Sequence, residues 1–311
     1  MQVFSNLSSI KKDKNTVLTI GTFDGIHLGH QKIIEKVKKK ATEFRSRNLV
    51  ITFDPHPQKI LSKTGNIKIL STIKEKIAAL ENLGIENLFV IEFTKEFSQL
   101  PAEKFFSDYI INGTGVKEII IGYDHHFGKG RSGGFETLKE MGEKNNFWVD
   151  RVEEVRHNGD TISSTKIRKA LAGGNISLVN SYLGGYYTFS GIVVQGDKRG
   201  HLLGFPTANI RLDDEDKLLP ALGIYIVEFI VNNNNYFGLL SVGRRPTFYS
   251  SGEIVPEVYV YDFNEDIYDK YVTVNVIERL RGEEKFSSAE ELVKQMNKDK
   301  ELGLEILSKL V

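Results

Sequence analysis

Apolar positions along this chain follow two rhythms, and the change falls near residue 184. Before that point, short apolar runs alternate with amphipathic stretches. "TVLTIG" (16–21) is a brief apolar run closed by glycine, as buried parallel strands are. "HQKIIEKVKKKATEF" then places Ile33, Val37, Ala41 and Phe44 on one helical face and lysines on the other. "LVITF" (49–53), "NLFVIEF" (87–93) and "KEIIIG" (117–122) read as further strands. Thr72 and Glu75 form a capping-box pattern that opens a helix carrying Ile73, Ile77 and Leu80. Pro101 suits the first position of a helix running into "AEKFFSDYII". This strand–helix alternation predicts a parallel sheet with helices on both faces, whose ligands bind beyond the carboxyl ends of the strands.

After residue 184 the helical period disappears. "GGYYTFSGIVVQG", "GIYIVEFIV", "YFGLLSVG", "PEVYVYDF" and "YVTVNVIERL" are strand-like and separated by Gly, Asn and Asp turns, with "NNNN" (232–235) as a hairpin turn. They predict a small antiparallel β-barrel. "FSSAEELVKQMNKDKELGLEILSKL" closes the chain as a helix opened by Ser287 or Ser288 with Glu290 or Glu291 three residues on. The expected fold class is therefore α/β plus β, with domains at 1–184 and 185–311. A length of 311 residues accommodates two domains.

Composition narrows the partners. Lys plus Arg and Asp plus Glu are balanced at 41 each, which leaves no electrostatic footprint for nucleic acid or a membrane surface. The absence of cysteine removes disulfides, zinc-thiolate sites and a thiol nucleophile. "MQVFSNLSSIKKDKN" lacks the apolar core of a signal peptide, and no run approaches the roughly 18 apolar residues of a membrane span. A cytoplasmic location is expected.

"GTFDGIHLGH" (21–30) is the first stretch with chemistry in it. It follows a predicted strand, so His27 falls in the turn and His30 in the first turn of the next helix. Free N–H groups and the helix dipole attract phosphate there. The strand ends at Gly21, and Gly25 and Gly29 let backbone approach a ligand. Taken alone, His-x-x-His fits metal ligands, phosphate contacts or ordinary turn residues. Zinc would need a further ligand; His125 and His126 exist, but spacing alone does not place them near. "DTISSTKIRKAL" (160–171) weighs toward phosphate. Ser163, Ser164 and Thr165 start a helix whose first turn carries Lys166 and Arg168. Cations there oppose the helix dipole unless an anion compensates them.

These two stretches, with "TFDPHP" (52–57) and "IGYDHHFGKGRSGG" (121–134) in the same order, resemble the nucleotidyltransferase half of the prokaryotic bifunctional riboflavin kinase/FAD synthetase family. The resemblance implies a Rossmann-like domain that adenylylates FMN with ATP, giving FAD and pyrophosphate. It implies ATP contacts at Gly21, Phe23, His27, Gly29, His30, Asp124, Ser164, Thr165 and Arg168, with His27 and His30 catalytic. Phe53, Pro55, His56 and His126 are implied on the flavin side; His126 stands where the family has Arg.

In the second half, "GHLLGFPTANI" (200–210) is the informative segment. Extended backbone puts Thr207 and Asn209 on one face, where a hydroxyl and an amide oxygen suit Mg²⁺. A turn braced by its asparagine is the alternative. The segment is similar to the riboflavin kinase signature, and "SVGRRPTF", "PEVYVYDF" and "RLRGEEKFSSAEELVKQMNKD" extend the similarity over about 186–299. The resemblance implies phosphorylation of riboflavin by MgATP. ATP contacts would be Gly196, Gly200, Gly204, Pro206, Thr207 and Asn209, the metal ligands Thr207 and Asn209. Glu257 would be the catalytic base on the flavin side, beside Arg281. His201 and Asp269 stand where the family has Arg and Gly. Without a Walker A sequence, the chain is not a P-loop kinase.

Overall fold

A computed structural model describes residues 1–62, 67–128, 130, 133–196, 204–244 and 254–309. The chain divides into two compact units, Met1–Ser164 and Thr165–Val311.

The first unit is built on a six-stranded sheet: β1 Gln2–Phe4, β2 Thr16–Ile20, β3 Arg47–Asp54, β4 Asn87–Glu92, β5 Glu118–Gly122 and β6 Trp148–Val152. All pairs are parallel, in the order β1-β4-β3-β2-β5-β6. The helices include α1 Leu28–Phe44, α2 Pro57–Leu61, α3 Ile73–Asn82, α4 Lys95–Ser98, α5 Ala102–Phe105 and α6 Phe135–Asn145. α5 continues into a π-helical stretch, Phe106–Thr114, and Pro101 caps α5 from just outside it. A hairpin of β7 Arg156–His157 and β8 Asp160–Thr161 follows. Alternation along the strands explains the two covered faces. Leu49 and Ile51 join Leu18, Ile20, Phe89 and Ile119 on one side, whereas Val50 faces Ile34, Leu80 and Leu88 on the other. The order reverses at β2, which has β3 on one flank and β5 on the other. The crevice of such a sheet opens at the carboxyl end of that strand.

Two edge strands are not legible in the pattern. β1 is only three residues long, with Gln2 and Val3 exposed, and β6 is largely exposed along its length. Edge strands lack the double burial that makes a run uniformly apolar.

The second unit begins with α7 (Ser164–Ala172, its first residue in the first unit) and α8 (Ile176–Leu183). The Asn180 amide donates to the carbonyls of Val276 and Ile277 at 3.0 and 3.1 Å and accepts from Tyr187 N at 2.8 Å. β9 Tyr187–Val194, β10 Ala208–Leu212, β11 Gly223–Val231, β12 Asn234–Arg244, β13 Ile254–Val260 and β14 Tyr271–Arg281 close an antiparallel barrel in the order β10-β13-β12-β11-β14-β9. β11 is buried along one face and partly buried along the other. Ile226 packs with Leu239, Ile277 and Leu307 under α9 (Ala289–Leu307), while Tyr225, Val227 and Phe229 fill the interior. The β11–β12 turn uses Asn232 and Asn233 at φ 52° and 63°, the primed-turn geometry that asparagine tolerates. Ser288 caps α9, accepting from Glu291 N at 3.2 Å.

Candidate functional sites

The first cluster lies where β2 ends. The Asp24 carboxylate is buried and accepts from Leu70 N at 2.9 Å and Ser71 N at 3.0 Å, tying the loop after β2 to the segment before α3. Gly25 N donates to Ser71 Oγ at 3.0 Å. Phe23 is held at φ 46°, left-handed backbone that a bulky residue adopts only where its surroundings impose it.

His27 caps α1, its Nδ1 accepting from His30 N at 3.4 Å. The two imidazoles stack at 3.8 Å between centroids and 15° between planes, with Phe23 edge-on to His30 at 5.1 Å. A Cβ at Gly29 would sit 3.1 Å from the His27 ring, so glycine is what admits this stack. Burial lowers His27 from 6.5 to about 4 despite the nearby Asp24 charge. His30 is driven well below its ordinary value by burial first, then by His27 and Lys76. His30 Nδ1 is buried and has no hydrogen-bond partner among the described residues. No group of three or more His, Cys, Asp or Glu among those residues is arranged to hold a metal.

The charge that His30 feels besides that of His27 comes from a lysine. Lys76, in the first turn of α3, is 4% exposed and donates to Thr52 Oγ1 at 3.2 Å. The Thr52 hydroxyl in turn donates to the Thr22 carbonyl, also at 3.2 Å. Burial brings Lys76 from 10.5 down to about 8, against the opposing pull of Asp24 and Asp54.

Other expected residues take their places around this sheet end or apart from it. Ser164 donates to the Asp24 carbonyl at 2.9 Å. Thr165 and Arg168 lie in the second unit, on α7. Phe53 belongs to an aromatic group with Phe93 at 5.6 Å and Phe97 at 6.0 Å. Pro55 follows a cis peptide bond, and His56 caps α2 by accepting from Gln58 N at 3.1 Å. Asp124 and His126 are exposed in the loop beyond β5, and Gly21 packs under the Phe23 ring.

The second cluster belongs to the barrel. Thr207 Oγ1 donates to Glu257 Oε2 at 3.1 Å. Asn209 pairs directly with Glu257 across β10 and β13 and is 4% exposed. A Cβ at Gly196 would lie 2.2 Å from the Asn209 amide nitrogen, so only glycine leaves that amide in place. Three side chains from two distant segments thus present hydroxyl, amide and carboxylate oxygens together. Gly204, at φ 81°, and Pro206 are exposed just before β10. Gly200 and His201 lie outside the described residues.

Arg281 is committed to α9. Its Nε and Nη2 donate to the Asp299 carboxylate at 3.0 and 2.7 Å, and Nη1 donates to the Gly282 carbonyl at 3.1 Å. Asp269 sits at φ 60°, the backbone for which glycine is common and which aspartate tolerates. That conformation accounts for the exchange of one for the other.

Sequence reasoning passes over Asp24, Thr52 and Lys76. A signal exists for the lysine. Positions 73, 76, 77 and 80 form one helical stripe, and Lys76 is its only charged member.

Comparisons with known proteins bear on both clusters. Residues 9–166 match the family described as FAD synthetase, and residues 183–307 the family described as riboflavin kinase. A bifunctional riboflavin kinase/FMN adenylyltransferase from Listeria monocytogenes is 37% identical over 290 residues, covering 93% of this chain and 91% of its own. The enzyme of that description from Bacillus subtilis is 37% identical over 305 residues, covering 97% and 96%. A solved structure described as a macrolide-efflux protein from Streptococcus pneumoniae superposes with a TM-score of 0.87 at 33% identity, covering 97% of this chain and 98% of that one. Among the described residues here, no helix is long and apolar enough to cross a membrane.

Proposed function

The chain belongs to the bifunctional riboflavin kinase/FMN adenylyltransferase family, and from that premise we propose how its residues divide the two reactions. Its C-terminal part phosphorylates riboflavin to FMN with ATP, and its N-terminal part adenylylates FMN to FAD with release of pyrophosphate. The proposed functional boundary lies between residues 184 and 185, supported by the family match that begins at residue 183. Both reactions consume ATP, which supports a cytoplasmic place of work.

In adenylyl transfer the attacking FMN phosphate is already anionic, so the protein need not generate a nucleophile. Alignment and charge stabilisation are the remaining tasks. His27 and His30 contact the ATP phosphates from the N-terminus of α1, where unpaired N–H groups add to the field. Ser164, anchored at Asp24, joins them, and the motif resemblance extends the assignment to Thr165 and Arg168. Gly21, Phe23, Gly29 and Asp124 complete the ATP side; Phe53, Pro55, His56 and His126 are assigned to the flavin.

In the kinase, Glu257 accepts the proton of the riboflavin 5′-hydroxyl as that oxygen attacks the γ-phosphorus. The convergence of Thr207, Asn209 and Glu257 is the observation that carries this assignment. Their donors are all oxygen, the set a hard cation takes, so Thr207 and Asn209 would hold Mg²⁺. When bound, it would neutralise charge on the ATP phosphates. Gly196, Gly200, Gly204 and Pro206 are assigned to the nucleotide, and Arg281 to the flavin side of the barrel.

The test is purified protein with riboflavin, ATP and Mg²⁺, followed by chromatography. FAD is the expected end product. Accumulation of FMN alone would overturn the adenylyltransferase assignment, and unchanged riboflavin the kinase assignment.

A further inference from the structure

The stacked histidines raise a question that their placement does not answer. Burial holds both imidazoles toward the neutral form, so neither brings a fixed positive charge to a polyphosphate. Lys76 is the buried cation of this cluster. It enters from α3 and is joined through the Thr52 hydroxyl to the Thr22 carbonyl. Thr22 immediately precedes the left-handed Phe23 and the Asp24 clamp. A cation in the first turn of a helix opposes the helix dipole, and burial adds a desolvation penalty. Structure alone would be served better by an apolar residue in that stripe.

We propose that Lys76 is a positioning residue for adenylyl transfer: anchored through Thr52, its buried ammonium sets the loop after β2 and supplies the positive field in which the His27/His30 pair works. This rests on the proposed adenylyltransferase role of the pair. Lys76 acts on the phosphates through its neighbours. Its hydrogen bond to Thr52 fixes the backbone at Thr22. Its charge adds to burial and to His27 in keeping a proton off His30, leaving that ring as a neutral hydrogen-bonding partner. The other charged and titratable groups facing this cluster are Asp24 in the loop, Asp54 at the end of β3 and His27 itself. Asp24 and Asp54 keep Lys76 protonated more strongly than burial alone would allow.

The test uses the full chain, with riboflavin phosphorylation as an internal control. Lys76→Met keeps the length of the stem and removes the charge. It should lower kcat for FAD formation roughly 100-fold, the scale for losing one preorganised electrostatic contact, with KM for ATP changed by less than about threefold. The acid limb of its pH–rate profile should move to higher pH, because His30 loses a cationic neighbour. Lys76→Arg should restore much of the rate. FMN formation should be unchanged in both variants. FAD synthesis by Lys76→Met within about threefold of wild type would overturn the proposal, as would an unmoved acid limb. NMR titration of the histidines in wild type and Lys76→Met provides a second check: His30 protonating at higher pH in the variant supports the proposal, and an unmoved His30 titration overturns it. Failure of the wild-type protein to make FAD would instead count against the adenylyltransferase assignment itself.

Discussion

The Thr207 hydroxyl donates to the Glu257 carboxylate at 3.1 Å, joining the segment before β10 to β13. This bond orients Glu257 from outside its own strand. Glu257→Gln keeps the shape and the hydrogen bond but loses the proton acceptor. Formation of FMN should fall by about 100-fold or more, while conversion of added FMN to FAD continues. Chromatography of the two half-reactions reads both. Loss of both together would contradict the division of labour.

Gly196→Ala should impair the kinase without unfolding the barrel. The new Cβ meets the Asn209 amide at 2.2 Å, and the amide is the softer of the two partners. Displacing it removes one of the oxygen donors proposed for Mg²⁺. The expected result is a raised KM for MgATP with an unchanged melting temperature, measured by steady-state kinetics and calorimetry.

His30→Ala should do the converse of Glu257→Gln. It removes one face of the stacked pair and the buried Nδ1. FAD formation should drop about 100-fold, with riboflavin phosphorylation retained. Equal loss of both activities would point to a general folding defect.

His27 makes stability depend on pH in a defined window. Its folded value, about 4, lies below the ordinary 6.5, so between these limits the unfolded chain binds the extra proton. The first unit therefore loses stability as pH falls from about 6.5 to 4, by on the order of 3 kcal/mol from this group. His27→Gln should flatten that part of the curve. Denaturant titrations of both proteins at several pH values give the difference.

Asp299 should prove structural. It is 4% exposed and receives two nitrogens of Arg281. Asp299→Ala leaves the guanidinium without its buried partner, a loss of about 3 kcal/mol by the usual behaviour of such pairs. Thermal unfolding of the barrel should shift down. Because α9 is attached through this pair, kinase activity should fall more steeply with temperature than in the wild type.

Much of this protein is decided by local sequence. Uniform apolar runs at 16–20 and 49–53 mark strands buried on both faces, and the two-residue period after residue 184 marks a barrel. Thr72 with Glu75 specifies a helix start through a reciprocal hydrogen bond that needs no tertiary contact, and both halves of it form, at 2.9 and 3.3 Å. The placement of His27 and His30 at the head of a helix follows from the same local logic. Thr207 and Asn209 could be put on one face by strand alternation alone.

The tertiary structure decides what depends on distance along the chain. Glu257 meets Thr207 across 50 residues, Asp24 meets Leu70 across 46 and Lys76 meets Thr52 across 24. A strand's period tells which side a residue takes, but pairing register tells which partner it meets, and register is a property of the assembled sheet. The proton states of His27, His30 and Lys76 belong to the same category. The sequence supplies residues with ordinary values of 6.5 and 10.5, and only the removal of water and the arrangement of neighbouring charges move them.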